Sequence, residues 1–484
     1  MNSVKEIGIT VKKNENFSEW YSQVVLKTGL ADYAPVKGFM VLPPYGYSIW
    51  EYIRDTLDRK LKETGHENGF LPLLIPESLL RMEENHFAGF TPEVFWVTKA
   101  GDNSLSEKLA LRPTSETLAY SIFAKWVTSY RDLPLKINYW NTALRAEIKA
   151  TKPFVRTSEF LWQEGHTVHA TRTEAEEEVM SILTIYKELI QNYLAIPTVS
   201  GLKSDKEKFV GAEYTVTLEG MMTDGKALQM GTSHHLGQRF SKPFEIKYIG
   251  KDTQDHFAWQ TSWGISWRLI GALIMVHGDD KGLIIPPKVA PIQVIIIPIY
   301  KQKDQEMVKS SASQIDIELK KSGIRTHVDK RDEYTSGWKF NEWERRGVPL
   351  RVNIGPRDIE KHQVELVRRD GTNKIHVGRD QLTTHVISLL DEIQSNLLNR
   401  AKKLLEDNIT KTTSYDTLKL TVQNKGGFVL TGWCGNRQCE DKIKEDTGAD
   451  IRLIPFEGQE EASSTICIYC GHAAKKIAIF AKAY

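Results

Sequence analysis

Two neighbouring stretches constrain this chain more than any other feature. LKINYWNTALRAEI from Leu135 and FVRTSEFLWQEGHTVHA from Phe154 both alternate in character with the two-residue period of a β-strand. In the second, Arg156, Phe160, Trp162, Glu164 and His166 share one face, while Leu161 and Gln163 point to the other. In the first, Arg145 and Glu147 share a face. Joined through KATKPFV, the two stretches pair as a hairpin that displays two arginines, two carboxylates, an imidazole and two aromatic rings. A charged strand face is ordinarily just solvated. Rings interleaved with charges on two adjacent strands suit the floor of a site.

Around this hairpin the patterns predict a multidomain α+β protein. GYSIWEYIRDTLDRKLKETG reads as an amphipathic helix, with Ile49, Ile53, Leu57 and Leu61 on the stripe that packs on a sheet. NGFLPLLIPESLL from Asn68 reads as a buried strand stopped at Pro76. A capping box at Thr173 and Glu176 opens a covering helix that carries Val179, Ile182, Tyr186, Ile190 and Tyr193 inward. From about Pro286, IQVIIIPIY, a helix through Met307 and Ile317, IRTHVDK, a helix near Phe340 and LRVNIG alternate as in a small α/β domain with a mostly parallel sheet, up to about Asn399. The helical segment NRAKKLLEDN then leads into the tail. With 484 residues the chain holds more than one core, and we expect three domains, at residues 1–285, 286–400 and 401–484.

Lys and Arg total 64 against 62 Asp and Glu, so a polyanion must be met by local basic patches rather than by the global field. The amino-terminal stretch has no apolar run of signal-peptide length, and VAPIQVIIIPIY is far short of the ~20 residues that span a bilayer. A cytoplasmic protein without membrane contact is expected. All four cysteines, Cys434, Cys439, Cys467 and Cys470, lie in the tail, which argues against a disulfide framework spread through the fold. CGNRQC and CIYC suit a local site where four thiolates hold a structural Zn²⁺.

These residues carry a family resemblance. LRAE at Leu144–Glu147, the basic loop and VRTSEFLWQEGHT resemble motif 2 of the class II aminoacyl-tRNA synthetases, in the form of the prolyl-tRNA synthetase family. NGFLPLLIP is similar to motif 1, LRPTSE at Leu111 and LQMGTSHHLGQ at Leu228 to its substrate loops, and WQTSWGISWRLIG at Trp259 to motif 3. The likeness covers nearly the whole chain. It implies an antiparallel-sheet catalytic domain over 1–285, an α/β anticodon-binding domain over 286–400 and a small zinc-binding α/β domain over 401–484. The implied activity is that of a homodimeric proline–tRNA ligase using ATP and Mg²⁺ on L-proline and tRNA(Pro).

By resemblance, Arg145 and Arg268 are the catalytic pair: Arg145 holds the α-phosphate and the proline carboxylate, and Arg268 the terminal phosphate. Activation brings two anions together, and arginine's planar fork clamps such groups bidentately. Glu147, Arg156 and Thr157 contact ATP, Phe160 stacks on adenine, and Gln229, Thr232 and Ser266 stand beside the nucleotide and its Mg²⁺. Thr114 and Glu116 meet the proline ammonium, and Trp162, Glu164, His166, Phe209 and His234 enclose the ring. The two histidines are read as walls rather than acid–base groups. Ser266 departs from the family-wide motif 3, which has a second glycine there, while hydroxyl residues are common in the prolyl group. Between motifs 2 and 3 there is room for a helix and loops but for no inserted domain, so no cis editing site for alanine is expected.

GWKFNEWERRGVPLRVNIGPRDIEKHQVEL from Gly337 offers Lys339, Arg345, Arg346, Arg351, Arg357 and Lys361 to RNA; Arg345, Arg346 and Lys361 are singled out for tRNA. Terminal Tyr484 is expected, by resemblance, to fold back toward the site. Two alternatives stay open: a synthetase for another amino acid such as threonine, and a synthetase-like RNA-binding or regulatory paralogue without ligase activity.

Overall fold

The structure, a computed structural model, describes residues 8–86, 93–146, 150–371 and 373–484. Its frame is an eleven-stranded sheet. Helix α1 (Pro44–Glu63) precedes strand β1 (Glu67–Gly69), followed by β2 (Leu135–Leu144) and β3 (Glu159–His169). Helix α2 (Arg172–Glu188) leads to β4 (Val199–Leu202), β5 (Tyr214–Met221), β6 (Ala227–Gly237) and β7 (Trp259–Ser266), and β7 runs into helix α3 (Arg268–His277). β2 and β3 form the predicted antiparallel pair, with Tyr139 opposite Glu164 and Asn141 opposite Trp162. β7 and β6 then continue the sheet beyond β3.

One face of this sheet is sealed by α1 and α2. Ile49, Ile53, Leu57 and Leu61 are buried as expected, and Trp50 meets Trp140 of β2 edge-on at 6.0 Å. The other face is left for the site. The α2 cap differs from expectation. Thr171 and Glu174, not Thr173 and Glu176, close the capping box, because β3 ends at His169 and the chain turns at once. Both pairs satisfy the same spacing, so only the strand end could choose between them.

NGFLPLLIPESLL does not form one buried strand. It splits into β1 and a separate Leu74–Pro76 strand in a different sheet, and Phe70 between them is 88% exposed. Pro72 and Pro76 interrupt the donors that a longer ladder needs. The segment between the two motif regions holds, besides α2, three strands of the central sheet where the sequence predicts only loops.

The next unit is a five-stranded sheet. β8 (Val294–Pro298), β9 (Thr326–Val328) and β10 (Leu350–Ile354) are parallel, and β11 (Gln363–Arg368) and β12 (Lys374–Gly378) add antiparallel pairs. The sheet is therefore mixed rather than mostly parallel. On the helix Gln305–Lys321 the inward residues are Val308, Ala312, Ile315 and Leu319, whereas Met307 and Ile317 are exposed.

One continuous helix, α4 (Leu382–Glu406), runs across the 400/401 boundary read from sequence. After it come β13 (Ile409–Lys411), β14 (Phe428–Trp433), β15 (Asp450–Pro455) and β16 (Lys476–Ala481), and these strands extend the central sheet: β15 pairs with β4. Pro455, without an N–H, sits at the end of that ladder opposite Gly201. Gly201 is required there, since a Cβ would stand 2.2 Å from the Ile454 carbonyl oxygen. No helix among the described residues is long and apolar enough to cross a membrane.

Candidate functional site

β3, β5, β6 and β7 contribute residues to the lining of a cavity of about 690 Å³. Arg145, just past the end of β2, and Arg268, from the first turn of α3, both line it. Arg145 Nε donates to the Pro113 carbonyl at 3.4 Å, and its guanidinium lies 5.2 Å from the Phe160 ring centroid. Arg268 Nη1 donates to the Gln229 carbonyl at 3.4 Å, while its buried Nε has no protein acceptor among the described residues. Burial, reinforced by the charge of Arg145, lowers the Arg268 pKa to about 10. Two guanidiniums facing one cavity, one with an unmet donor, create demand for an anion.

At the other end, Glu116, Glu164 and His166 lie together, fully buried. The Thr114 hydroxyl donates to Glu116 and the Ser115 hydroxyl to Glu164. The Ser115 N–H and Asn141 Nδ2 also reach Glu164, at 3.2 Å and 2.8 Å. His166 Nε2 lies 3.3 Å from Glu164 Oε2, and its Nδ1 is 3.2 Å from the Tyr120 hydroxyl. Burial raises the Glu116 pKa, and the neighbouring Glu164 charge adds to this. Burial would raise Glu164 too, but hydrogen bonds and charge from His166, with Ser115 and Asn141, hold it low. Burial opposes charging of His166; its two carboxylate neighbours outweigh that and raise it.

Trp162 stands edge-on to Phe160 at 5.7 Å, and Phe209 lies against His234 at 4.7 Å. Burial brings the His234 pKa down to about 3, so this imidazole is a neutral wall that exchanges hydrogen bonds with Thr215 and Thr232. The remaining sequence-read residues Arg156, Thr157, Gln229, Thr232 and Ser266 line the same cavity. Glu147 lies outside the described residues. Sequence reading missed Ser115 and Asn141. It also missed Lys203, on the segment after β4. The run LRPTSE contains Ser115, but its partner Glu164 is 49 residues away, and no local pattern joins them.

The tail brings Cys434, Cys439, Cys467 and Cys470 together as free thiols with Sγ atoms within 4.8 Å of one another. Cys434 Sγ is 3.6 Å from Cys439 Sγ and 3.8 Å from Cys470 Sγ. Four thiolates at Zn–S ~2.3 Å in a tetrahedron sit ~3.8 Å apart, so the donor set fits zinc. Tyr484 folds back onto the central sheet unit: its hydroxyl donates to Asp224 at 2.5 Å, and Lys152, from the connection between β2 and β3, lies 4.3 Å from its ring centroid, none of the three lining the cavity.

The basic run from Gly337 separates into different environments. Lys339 is buried on Asp329, and Arg351 stacks 4.0 Å from the Phe340 centroid. Arg346 pairs with Glu342 at 3.0 Å and stacks on Tyr45 of α1, and the Arg345 carbonyl accepts the Leu283 N–H, so this pair sits at the junction with the central sheet unit. Lys361 and Arg357 are exposed.

Comparison with known proteins agrees with this organisation. Residues 95–277 match the family described as "tRNA synthetase class II core domain (G, H, P, S and T)". Residues 293–389 match "Anticodon binding domain", and 415–484 match "Prolyl-tRNA synthetase, C-terminal". The chain is 59% identical to a proline–tRNA ligase of Cenarchaeum symbiosum, over 99% of this chain and 100% of the relative. It is 52% identical to one of Natranaerobius thermophilus, over 99% and 98%. Against a proline–tRNA ligase 2 of Bacillus cereus the identity is 47%, over 99% of each chain.

Proposed function

This chain belongs to the prolyl-tRNA synthetase family, and on that premise we propose how its cavity ligates L-proline to tRNA(Pro). The observation that carries the reading is one cavity with Arg145 and Arg268 at the nucleotide end and a buried Glu116–Glu164–His166 cluster beside Trp162 at the other. Proline's carboxylate attacks the α-phosphate of ATP, forming the mixed anhydride and releasing pyrophosphate. The 3′-terminal ribose hydroxyl of the tRNA then attacks the prolyl carbonyl, its proton leaves, and AMP departs.

Arg145 draws the two reacting anions together and stabilises charge at the α-phosphorus, contributing orientation and preorganised electrostatics rather than proton transfer. Arg268 takes the terminal phosphates, Phe160 stacks on adenine, and Arg156, Thr157 and Ser266 fix the nucleotide. The oxygens of Gln229 and Thr232 suit the hard Mg²⁺ that accompanies ATP, which neutralises phosphate charge. Glu116 and the Thr114 hydroxyl receive the secondary ammonium, while Trp162, His166, Phe209 and His234 wall the pyrrolidine ring. Discrimination against alanine rests on pocket fit.

The exposed apolar residues Phe70, Leu73, Leu74 and Trp96 form the homodimer surface. tRNA lies on the α/β unit, where Lys361 is available, with Arg345 and Arg346 shaping the junction. The four cysteines hold a structural Zn²⁺, whose chemistry is to tie their loops together. We place the first domain boundary at 285/286 and the second where helix α4 ends, at Glu406, rather than at 400/401, and assign the chain to the cytoplasm. The test is amino-acid-dependent ATP–pyrophosphate exchange across the twenty amino acids. Proline should drive exchange far above the rest; an equal or larger response to threonine would overturn the pocket assignment.

A further inference from the structure

Behind the nucleotide end of the cavity three charges from distant segments share one buried point. Glu219 of β5 is fully buried and accepts from Lys203 Nζ at 2.7 Å and from Arg452 Nη2 at 3.2 Å. Lys203 donates a second bond to the Arg452 carbonyl at 3.0 Å, and its third donor has no acceptor among the described residues. Lys203 lines the cavity.

Two bulges aim these groups. The β5–β6 register shifts at Leu218/Glu219, which places Glu219 opposite Gln229, the residue whose carbonyl receives Arg268. The β15–β16 register shifts between Ile451 and Leu453, leaving Arg452 as the extra residue, turned toward Glu219. Burying such a cluster is no route to stability, since well-packed apolar side chains of similar volume commonly serve as well. A single carboxylate among Lys203, Arg452 and Arg268 instead offsets their mutual repulsion next to a site that must also hold phosphates.

We propose that Glu219 is a positioning residue for the nucleotide end of the cavity, gripping Lys203 and Arg452 so that the carboxy-terminal strand β15 acts on ATP binding through it. This rests on the reading above that the cavity takes ATP beside proline. Lys203, held by two of its three donors, presents the remaining one to the anionic substrate, and Arg268 keeps its aim because its neighbours' charge is balanced.

The test uses the full-length protein with Arg452→Gln and Arg452→Lys, read by the KM values for ATP and proline in proline-dependent pyrophosphate exchange. The expected result for Arg452→Gln is an ATP KM raised about 10-fold or more with the proline KM within about twofold, and partial recovery in Arg452→Lys. If Arg452→Gln does not fold, Arg452→Lys, which keeps a charge beside Glu219 but loses the guanidinium's grip on both its oxygens, serves as the folded variant and should still show a raised ATP KM with the proline KM within about twofold. An unchanged ATP KM in a folded variant, or ATP and proline KM values that rise in parallel, would overturn the inference. Absence of proline-dependent exchange in the unmodified protein would instead overturn the reading of the cavity, and this inference with it.

Discussion

Gly165 separates Glu164 from His166 on β3, and its missing side chain is what lets Trp263 of β7 lie beneath the proline end. A Cβ at 165 would stand 2.0 Å from Trp263 Cη2 and 2.2 Å from Cζ2 and Cζ3. Ordinary contact begins near 3.4 Å, so Gly165→Ala is about 1.4 Å short of room. Trp263 has little freedom to retreat, because its ring meets His66 edge-on at 5.2 Å and Tyr186 at 6.4 Å. The strand must therefore move, carrying the Glu164 carboxylate and the His166 ring with it. Overpacking of this kind costs about 1–3 kcal/mol of stability, and an ångström of misplacement at reacting groups costs about 100-fold. We expect kcat/KM for proline to fall by about 100-fold in pyrophosphate exchange, with the ATP KM changed far less and circular dichroism native-like. Trp263→Leu added to Gly165→Ala should return part of the loss. A proline kcat/KM within about twofold of that of the unmodified protein would refute the reasoning.

Four further outcomes follow from the same geometry. Because burial and the Glu164 charge raise the Glu116 pKa, and this carboxyl must ionise to receive the ammonium, the proline KM should fall as pH rises through the Glu116 titration and then level, a trend absent in Glu116→Gln. Glu178, held by His66 at 2.8 Å and Lys136 at 2.6 Å against the cost of its burial, has its pKa lowered from 4.5 to about 2. A lowered carboxyl stabilises the fold above its unfolded value and loses that contribution as pH falls. Glu178→Gln should therefore cost on the order of 3 kcal/mol in urea unfolding at neutral pH, with the gap to the unmodified protein narrowing between about pH 4.5 and 2. Cys467→Ser should release bound zinc by atomic absorption and lower the unfolding temperature of the tail, whereas metal content equal to that of the unmodified protein would count against the four-thiolate site. Purified protein mixed with Ala-tRNA(Pro) should hydrolyse it no faster than buffer, and rapid deacylation would reveal an editing site.

One wall of the cavity was legible because a strand's period of two is strict. Once FVRTSEFLWQEGHTVHA is read as a strand, Phe160, Trp162, Glu164 and His166 must share a face, and they line one cavity. Helix α1 was legible for the same reason at four-residue spacing. What failed was whatever depends on partners outside the local window. The parallel or antiparallel sense of β11 and β12 leaves no mark within either strand. NGFLPLLIP is apolar enough for a core, yet two prolines hand its ends to different sheets. In the basic run, Arg346 pairs with Glu342 and lies over the Trp343 and Tyr45 rings, contacts that the run itself does not announce. The Lys203–Glu219–Arg452 cluster draws on positions up to 249 residues apart and depends on two bulges, so no sequence pattern announces it.

The central claim is that Arg145 and Arg268 grip one nucleotide beside a proline-shaped recess. The most direct measurement is a crystal structure of the full chain with a non-hydrolysable prolyl-adenylate analogue and pyrophosphate. The account predicts the adenylate phosphate on Arg145, the pyrophosphate on Arg268, and the pyrrolidine ring among Trp162, Glu164 and His166. A ligand phosphate contacting neither arginine, or a ring seated outside that recess, would contradict it.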